Sequence, residues 1–250
     1  MNEILNGERT SPEWKDADSK ICVFPVGAFE QHSRHLPLAS DNIEAEYFGR
    51  FVAAELGAAL LPTLNFGTSL EHSGFRGTIS LHPETLMQIV RDVADEVERQ
   101  GFTTMILLNG HGGNFALIPV VRDINRLDRT LKILLVDWWK QPDPGILDCP
   151  KQGKTEVHAG EFETSVMLAL RPELVKPERP DIRPTVEGFQ QPDLTTFGVG
   201  YVAPEGAFGY PSLASAEKGR RLLESLKRNL IAHIRQRLEW LEKNRNYSGR

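Results

Sequence analysis

With 250 residues, 40% of them hydrophobic and 25% charged, the chain can bury a substantial core without disulfide or metal staples. A net charge of -5 and a pI near 5.8 argue against a nucleic-acid footprint or a polybasic membrane patch, leaving small-molecule or peptide chemistry. Cys22 and Cys149 stand in unrelated contexts and suit a reducing, cytoplasmic setting; no apolar leader is visible, and no run reaches the roughly 18 apolar residues of a membrane span.

Residues 2–13 contain Asn-Gly and Ser-Pro breakers and predict a lead-in with at most one helical turn. Ile21-Cys-Val-Phe-Pro-Val is a short buried-type strand, and Gly27 frees the backbone for a turn that presents Glu30 and His32. Asp41 opens a helix over residues 42–56, with Ile43, Phe48, Phe51, Val52 and Leu56 at helical spacing. Residues 58–64 read as a second strand, bent or made an edge by Pro62. It runs into Asn65-Phe-Gly-Thr-Ser-Leu-Glu-His-Ser-Gly-Phe-Arg-Gly-Thr, a candidate substrate loop.

His82-Pro-Glu-Thr begins a helix whose apolar face is Leu86, Ile89, Val90, Val93 and Val97 and which Gly101 ends. Thr103-Thr-Met-Ile-Leu-Leu is continuously apolar enough for a central parallel strand, with Asn109-Gly-His-Gly-Gly-Asn114 at its end. A helix over 115–128 and a strand over 131–137 follow. Residues 138–155 read as a loop or flap, residues 171–209 as an irregular surface segment that could reach a neighbouring subunit, and 215–244 as a long helix with Leu222, Leu223, Leu226, Leu230, Ile231 and Ile234 on its apolar side. Strand and helix alternation predicts one α/β domain over 1–250, three layers deep, with a mostly parallel sheet flanked by helices.

Sites in such sheets form beyond the carboxyl ends of the strands, where Glu30, His32 and His111 all fall. Carboxylates mixed with imidazoles suit zinc, manganese or iron(II), whereas a calcium site would be built from oxygens. Taken singly, Glu30 and His32 fit a solvated loop equally well, and Asp41 fits a helix cap. His111 is different, because glycines on both sides allow close approach by a ligand or another backbone. His72 is either a substrate contact or a polar loop residue, and His35, His82 and His233 read as structural or solvated. Glu161 and Glu163 open the helix after Gly160 about 200° apart, so one of them at most faces the site.

Four segments taken together resemble the creatininase (creatinine amidohydrolase) family: Pro25-Val-Gly-Ala-Phe-Glu-Gln-His with Leu36-Pro-Leu and Asp41, Gly74-Phe-Arg-Gly-Thr-Ile-Ser, Asn109-Gly-His-Gly-Gly-Asn, and His158-Ala-Gly-Glu-Phe-Glu-Thr-Ser. They run in the family's order from about residue 20 to 170. The resemblance implies two divalent ions per subunit, zinc or manganese with iron in some relatives, frequent hexamers, and hydrolysis of a C–N bond, often in a cyclic amide. It places Glu30, Asp41 and His111 on one metal and His32 and Asp41 on the other, with Asp41 bridging and His158 matching the catalytic histidine. Creatininase carries Tyr-Glu, the glutamate a metal ligand, where this chain has Gly112-Gly113. Glu161 is the expected replacement, because the creatininase position matching it is apolar, whereas Glu163 matches a glutamate that creatininase keeps. The missing pair also argues against creatinine itself as substrate. His72, Trp138 and Glu163 are the expected substrate contacts. Hydrolysis of a formamide or short peptide is the alternative within the family, and a metal-loaded binding protein without turnover the alternative outside it.

Overall fold

A computed structural model describes residues 4–140, 142–149, 156–183, 193 and 196–244. Four parallel strands, β1 (Ile21–Val26), β2 (Ala59–Leu60), β3 (Thr104–Asn109) and β4 (Lys132–Asp137), lie in the order β2-β1-β3-β4. β1 and β3 pair over their full lengths, from Ile21 opposite Thr104 to Val26 opposite Asn109, so Glu30 and His111 leave the sheet at the same level. β2 is an edge of two residues, shorter than the segment the sequence predicts, because Pro62 follows it and cannot donate to a ladder.

Among the described residues lie the helices α1 (Ser11–Asp16), α2 (Ser40–Leu56), α3 (Pro83–Arg99), α4 (Leu117–Arg126), α5 (Glu161–Leu170), the single turn α6 (Val199–Val202) and α7 (Ala216–Asn244). Alternate residues of each strand face opposite layers. Cys22, Phe24, Met105 and Leu107 pack against Leu86, Val90 and Ala94 of α3 and Leu117, Val120 and Ile124 of α4. Val23, Ile106 and Leu108 pack on the other side against Phe48 and Val52 of α2 and Leu222, Leu226, Leu230 and Ile234 of α7. Burial of this kind contributes roughly 1.5–3 kcal/mol per large side chain and is what holds the strand ends at fixed spacing. The apolar face read for α7 is buried throughout, and α3 starts at the predicted proline. No helix among the described residues is long and apolar enough to cross a membrane.

Gly27 acts differently from the sequence expectation. It is absent from the residues with positive φ, and a Cβ there would lie 2.2 Å from Asn42 Oδ1, so glycine lets the end of β1 touch the start of α2. The left-handed residue of the turn is Ser33, at φ 58°. Most of the flap at 138–155 is described, and its residues 141 and 150–155 lie outside the described set, as do 184–192, 194 and 195 of the irregular segment.

Candidate metal centre

Three separate strand and helix ends converge beyond β1 and β3. The β1 turn carries Glu30 and His32, the first turn of α2 carries Asp41, and the loop after β3 carries His111. That last loop is held by side-chain amides: Asn109 Oδ1 accepts from His111 N at 3.2 Å and from Asn114 Nδ2 at 3.1 Å, and Asn114 Oδ1 accepts from Thr68 N at 2.9 Å. Gly110 is needed for closeness, since a Cβ there would meet Ala45 Cβ at 2.8 Å and the carbonyl of Asp41 at 3.1 Å.

Glu30, His32, Asp41 and His111 are all buried. Glu30 Oε2 lies 3.0 Å from His111 Nε2, Asp41 Oδ2 lies 3.4 Å from His111 Nδ1, and Asp41 Oδ1 lies 3.4 Å from His32 Nε2. His32 Nδ1 faces the carbonyl of Glu30 at 3.1 Å, which places the proton on Nδ1 and leaves Nε2 as the lone-pair nitrogen. Glu30 Oε1 and Oε2, His32 Nε2 and Asp41 Oδ2 are buried without a hydrogen-bond partner. Polar atoms buried in this way are costly unless something charged meets them.

Among the described residues four groups of donors have atoms close enough to share an ion, and two of them share Asp41: Glu30 with Asp41 and His111, and His32 with Asp41 and Glu163; the others are Glu30 with His32 and His158, and Cys149 with Glu156 and Glu161. The donor set of carboxylates and imidazoles fits a borderline divalent ion. The electrostatics agree. Burial disfavours the imidazolium of His32, but Asp41, Glu163 and Glu30 together outweigh it and hold the group up to about 10; burial likewise opposes His111, and Glu30, Glu71 and Asp41 together raise it to about 10. Burial pushes the Glu30 carboxyl up to about 8. The site therefore draws positive charge, and imidazolium protons and a divalent cation compete for the same oxygens.

The expectation for Glu161 is corrected by the geometry. Glu161 is buried on the far side of the α5 start, where it accepts from Asp148 N at 3.0 Å, Cys149 N at 2.7 Å and Lys218 Nζ at 2.5 Å. Those partners saturate it and tie the 138–149 segment to α5 and α7. Glu163, two residues on and so on the opposite helix face, is the carboxylate beside His32 and Asp41. Its Oε2 accepts from Ala159 N, which fixes its direction. Glu44, one turn after Asp41 on α2, is also buried near this pair, and burial together with Glu163 and Asp41 holds its carboxyl well above the ordinary range.

His158 donates Nε2–H to the carbonyl of Gln31 at 2.8 Å, leaving Nδ1 3.8 Å from Glu30 Oε1. Burial and then His32 hold His158 well below the ordinary histidine range. His72, expected as a substrate contact or a polar loop residue, is buried with Nε2 3.2 Å from Glu30 Oε1. His35 is structural, its Nε2 set between Ala159 O and Thr164 Oγ1 at 3.1 Å each.

Gln31 was legible only as the residue between two candidate ligands. Its Oε1 accepts from Ser33 N at 2.9 Å and its Nε2 donates to Gly206 O at 2.8 Å and His72 Nδ1 at 2.7 Å. His72 Nδ1 is thereby an acceptor, and its proton sits on Nε2, toward Glu30.

A cavity of about 470 Å³ opens over the centre, lined by Asp41, Glu71, His111, Trp138, Lys140, His158 and Glu163 among others. Trp138 forms a rigid wall, stacked on Phe48 at 4.4 Å and Phe162 at 5.8 Å between ring centroids. A family model described as creatinine amidohydrolase matches residues 7–234. The chain belongs to the creatininase family.

It is 33% identical over 245 residues to the mycofactocin precursor peptide peptidase of Mycobacterium ulcerans (strain Agy99), covering 91% of this chain and 89% of that one. It is 32% identical over 255 residues to the creatinine amidohydrolase of Pseudomonas putida, covering 93% and 96%. A mutant creatininase complexed with creatine superposes with a TM-score of 0.81 at 28% identity, covering 94% of this chain and 99% of that one. Other creatininases of this fold are described as a Zn-Zn type and an Mn form. The chain is thus a creatininase-family hydrolase, whose relatives are named for creatinine in one case and a peptide in another.

Proposed function

We propose that this chain is a two-metal amidohydrolase that cleaves a C–N bond in a small molecule, a cyclic amide in the first instance. The observation that carries it is Asp41, whose two oxygens each face a different imidazole inside two donor groups that share it. Glu30, Asp41 and His111 would hold one divalent ion and His32, Asp41 and Glu163 the other, zinc or manganese by analogy with the described forms and iron as a further candidate. Bound ions of this kind supply Lewis acidity, lowering the pKa of water and polarising a carbonyl.

The chain's own residues do the rest. His158 keeps one proton on Nε2 through the Gln31 carbonyl, so Nδ1 is the atom that takes a proton from the attacking water and passes it to the departing nitrogen. Burial keeps that ring neutral at rest, so the Nδ1 lone pair is free. Trp138 holds one wall of the cavity and excludes water there. His72 stays beside Glu30 and orients it, which favours a positioning role over the substrate contact expected from sequence.

Peptide or formamide cleavage is the second reading, and the peptidase relative and the open space beside Gly112 favour it. One domain over 1–250, a hexameric assembly and a cytoplasmic setting complete the proposal; the family match over 7–234 supports the first, family resemblance the second, and the free thiols of Cys22 and Cys149 the third. The test is turnover by metal-loaded protein on creatinine, a lactam series, formamides and short peptides. Lactam hydrolysis supports the first reading and formamide or peptide hydrolysis the second; fully metallated protein that hydrolyses none of them would instead be a binding protein.

A further inference from the structure

The cavity wall contains a carboxylate that belongs to neither donor group. Glu71 comes from the short turn at Leu70–His72, inside the glycine-rich segment between β2 and α3. Its side chain is 8% exposed, and Oε1 lies 3.5 Å from His111 Nε2. The same oxygen sits 1.9 Å from where a Cβ on Gly113 would be, so the carboxylate occupies space that only a glycine at 113 leaves open. Among the described residues its ionic contact is His111 alone; Lys140, the cationic side chain lining the cavity, is engaged with Asp137.

The imidazolium of His111 offsets this carboxylate only while no ion is bound; a His111 that ligates an ion is neutral, and with no ammonium or guanidinium beside it the enclosed carboxylate then favours a ligand that brings positive charge. Its position one side chain away from the Glu30–His111 pair puts that ligand charge next to the reacting centre. Two divalent ions would repel a cationic substrate, and a fixed carboxylate beside them reverses that preference locally.

We propose that Glu71 is a specificity-determining residue that selects substrates carrying a cationic nitrogen, such as a free ammonium, beside the scissile C–N bond. This rests on the hydrolytic reading of the site. The experiment compares wild type, Glu71→Gln and Glu71→Asp, each loaded with zinc or manganese and assayed for bound metal. The substrates are matched pairs, an amino-acid amide or dipeptide with a free α-amino group and its N-acetyl counterpart. Wild type should prefer the free amine, and Glu71→Gln should raise KM for it by about ten- to a hundredfold while leaving metal content and the acetylated partner unchanged. Glu71→Asp should recover part of the loss.

Equal losses on both members of each pair, accompanied by metal loss, would make Glu71 a support for His111 and overturn the proposal. So would a variant unchanged on both, or a wild type that prefers the acetylated forms. Wild type inactive on every pair but active on a lactam or formamide would overturn this inference alone; wild type inactive on those as well would overturn the hydrolytic reading with it.

Discussion

His32 turns Nε2 toward Asp41 Oδ1, 3.4 Å away, while its Nδ1 is tied to the carbonyl of Glu30. The second oxygen of Asp41 repeats the relation with His111 at 3.4 Å. One carboxylate at the start of α2 therefore serves two imidazoles carried by two strands, which is the arrangement a shared ion ligand requires.

Asp41→Asn keeps the size of the side chain and removes the charge both groups share. Both ions should be lost or weakened together, by at least about a hundredfold in affinity, beyond the usual cost of altering an outer-shell partner. Metal analysis after dialysis checks it; loss of one ion with full retention of the other would show that Asp41 serves one site.

Glu163→Gln and Glu161→Gln should separate cleanly. The first should empty one metal position with little change in Tm. The second should leave metal content intact and cost about 1–3 kcal/mol, since two backbone N–H groups and Lys218 lose a charged acceptor. Denaturant melts and metal content on the two variants measure both effects.

The metal-stripped protein should be more stable near pH 6 than near pH 9. His32 and His111 are raised from 6.5 to about 10, so their contribution is fully present below about 6.5 and is lost as pH rises through 10. Glu30, raised to about 8, has the same sign, because the folded chain keeps a proton that the unfolded chain gives up above about 4.5. Added zinc displaces these protons, so metal binding should release protons and strengthen as pH rises. Tm against pH with and without metal reads the sign directly.

Gln31→Leu removes the amide that makes His72 Nδ1 an acceptor and that holds Gly206. His72 should lose its single tautomer in nitrogen-detected NMR, and turnover should fall about tenfold or more with metal retained. A variant with the wild-type tautomer would remove Gln31 from the positioning of Glu30.

Ile106→Ala in β3 should cost about 2–5 kcal/mol, since the side chain is fully buried between the sheet and the α2–α7 layer. Urea melts check it, and substrate preference should be unchanged.

Much of the fold is legible in the chain because its cues are local. The apolar run of β3, the proline at the start of α3 and the heptad-like leucines of α7 each specify their element without reference to the rest. The candidate ligands were legible only in combination, since Glu30, His32 and Asp41 are each ambiguous alone and the four motifs taken together single them out. The orientation of Glu161 was not, because its partners Asp148, Cys149 and Lys218 are distant in sequence. Helix geometry had already limited the choice to one of Glu161 and Glu163; which of them faced inward depended on how α5 rolls against α7. Glu71 and Gln31 were hidden for a related reason. Each is a polar residue in a loop, and only the approach of Gly113 and Gly206 from elsewhere in the chain gives it a role.

The central claim is that Asp41 bridges two ions, and metal stoichiometry tests it most directly. Protein reconstituted with zinc or manganese, freed of loose metal and measured by elemental analysis should hold about two ions per chain, both lost in Asp41→Ala. A content near one ion per chain, or two ions retained in Asp41→Ala, would contradict it.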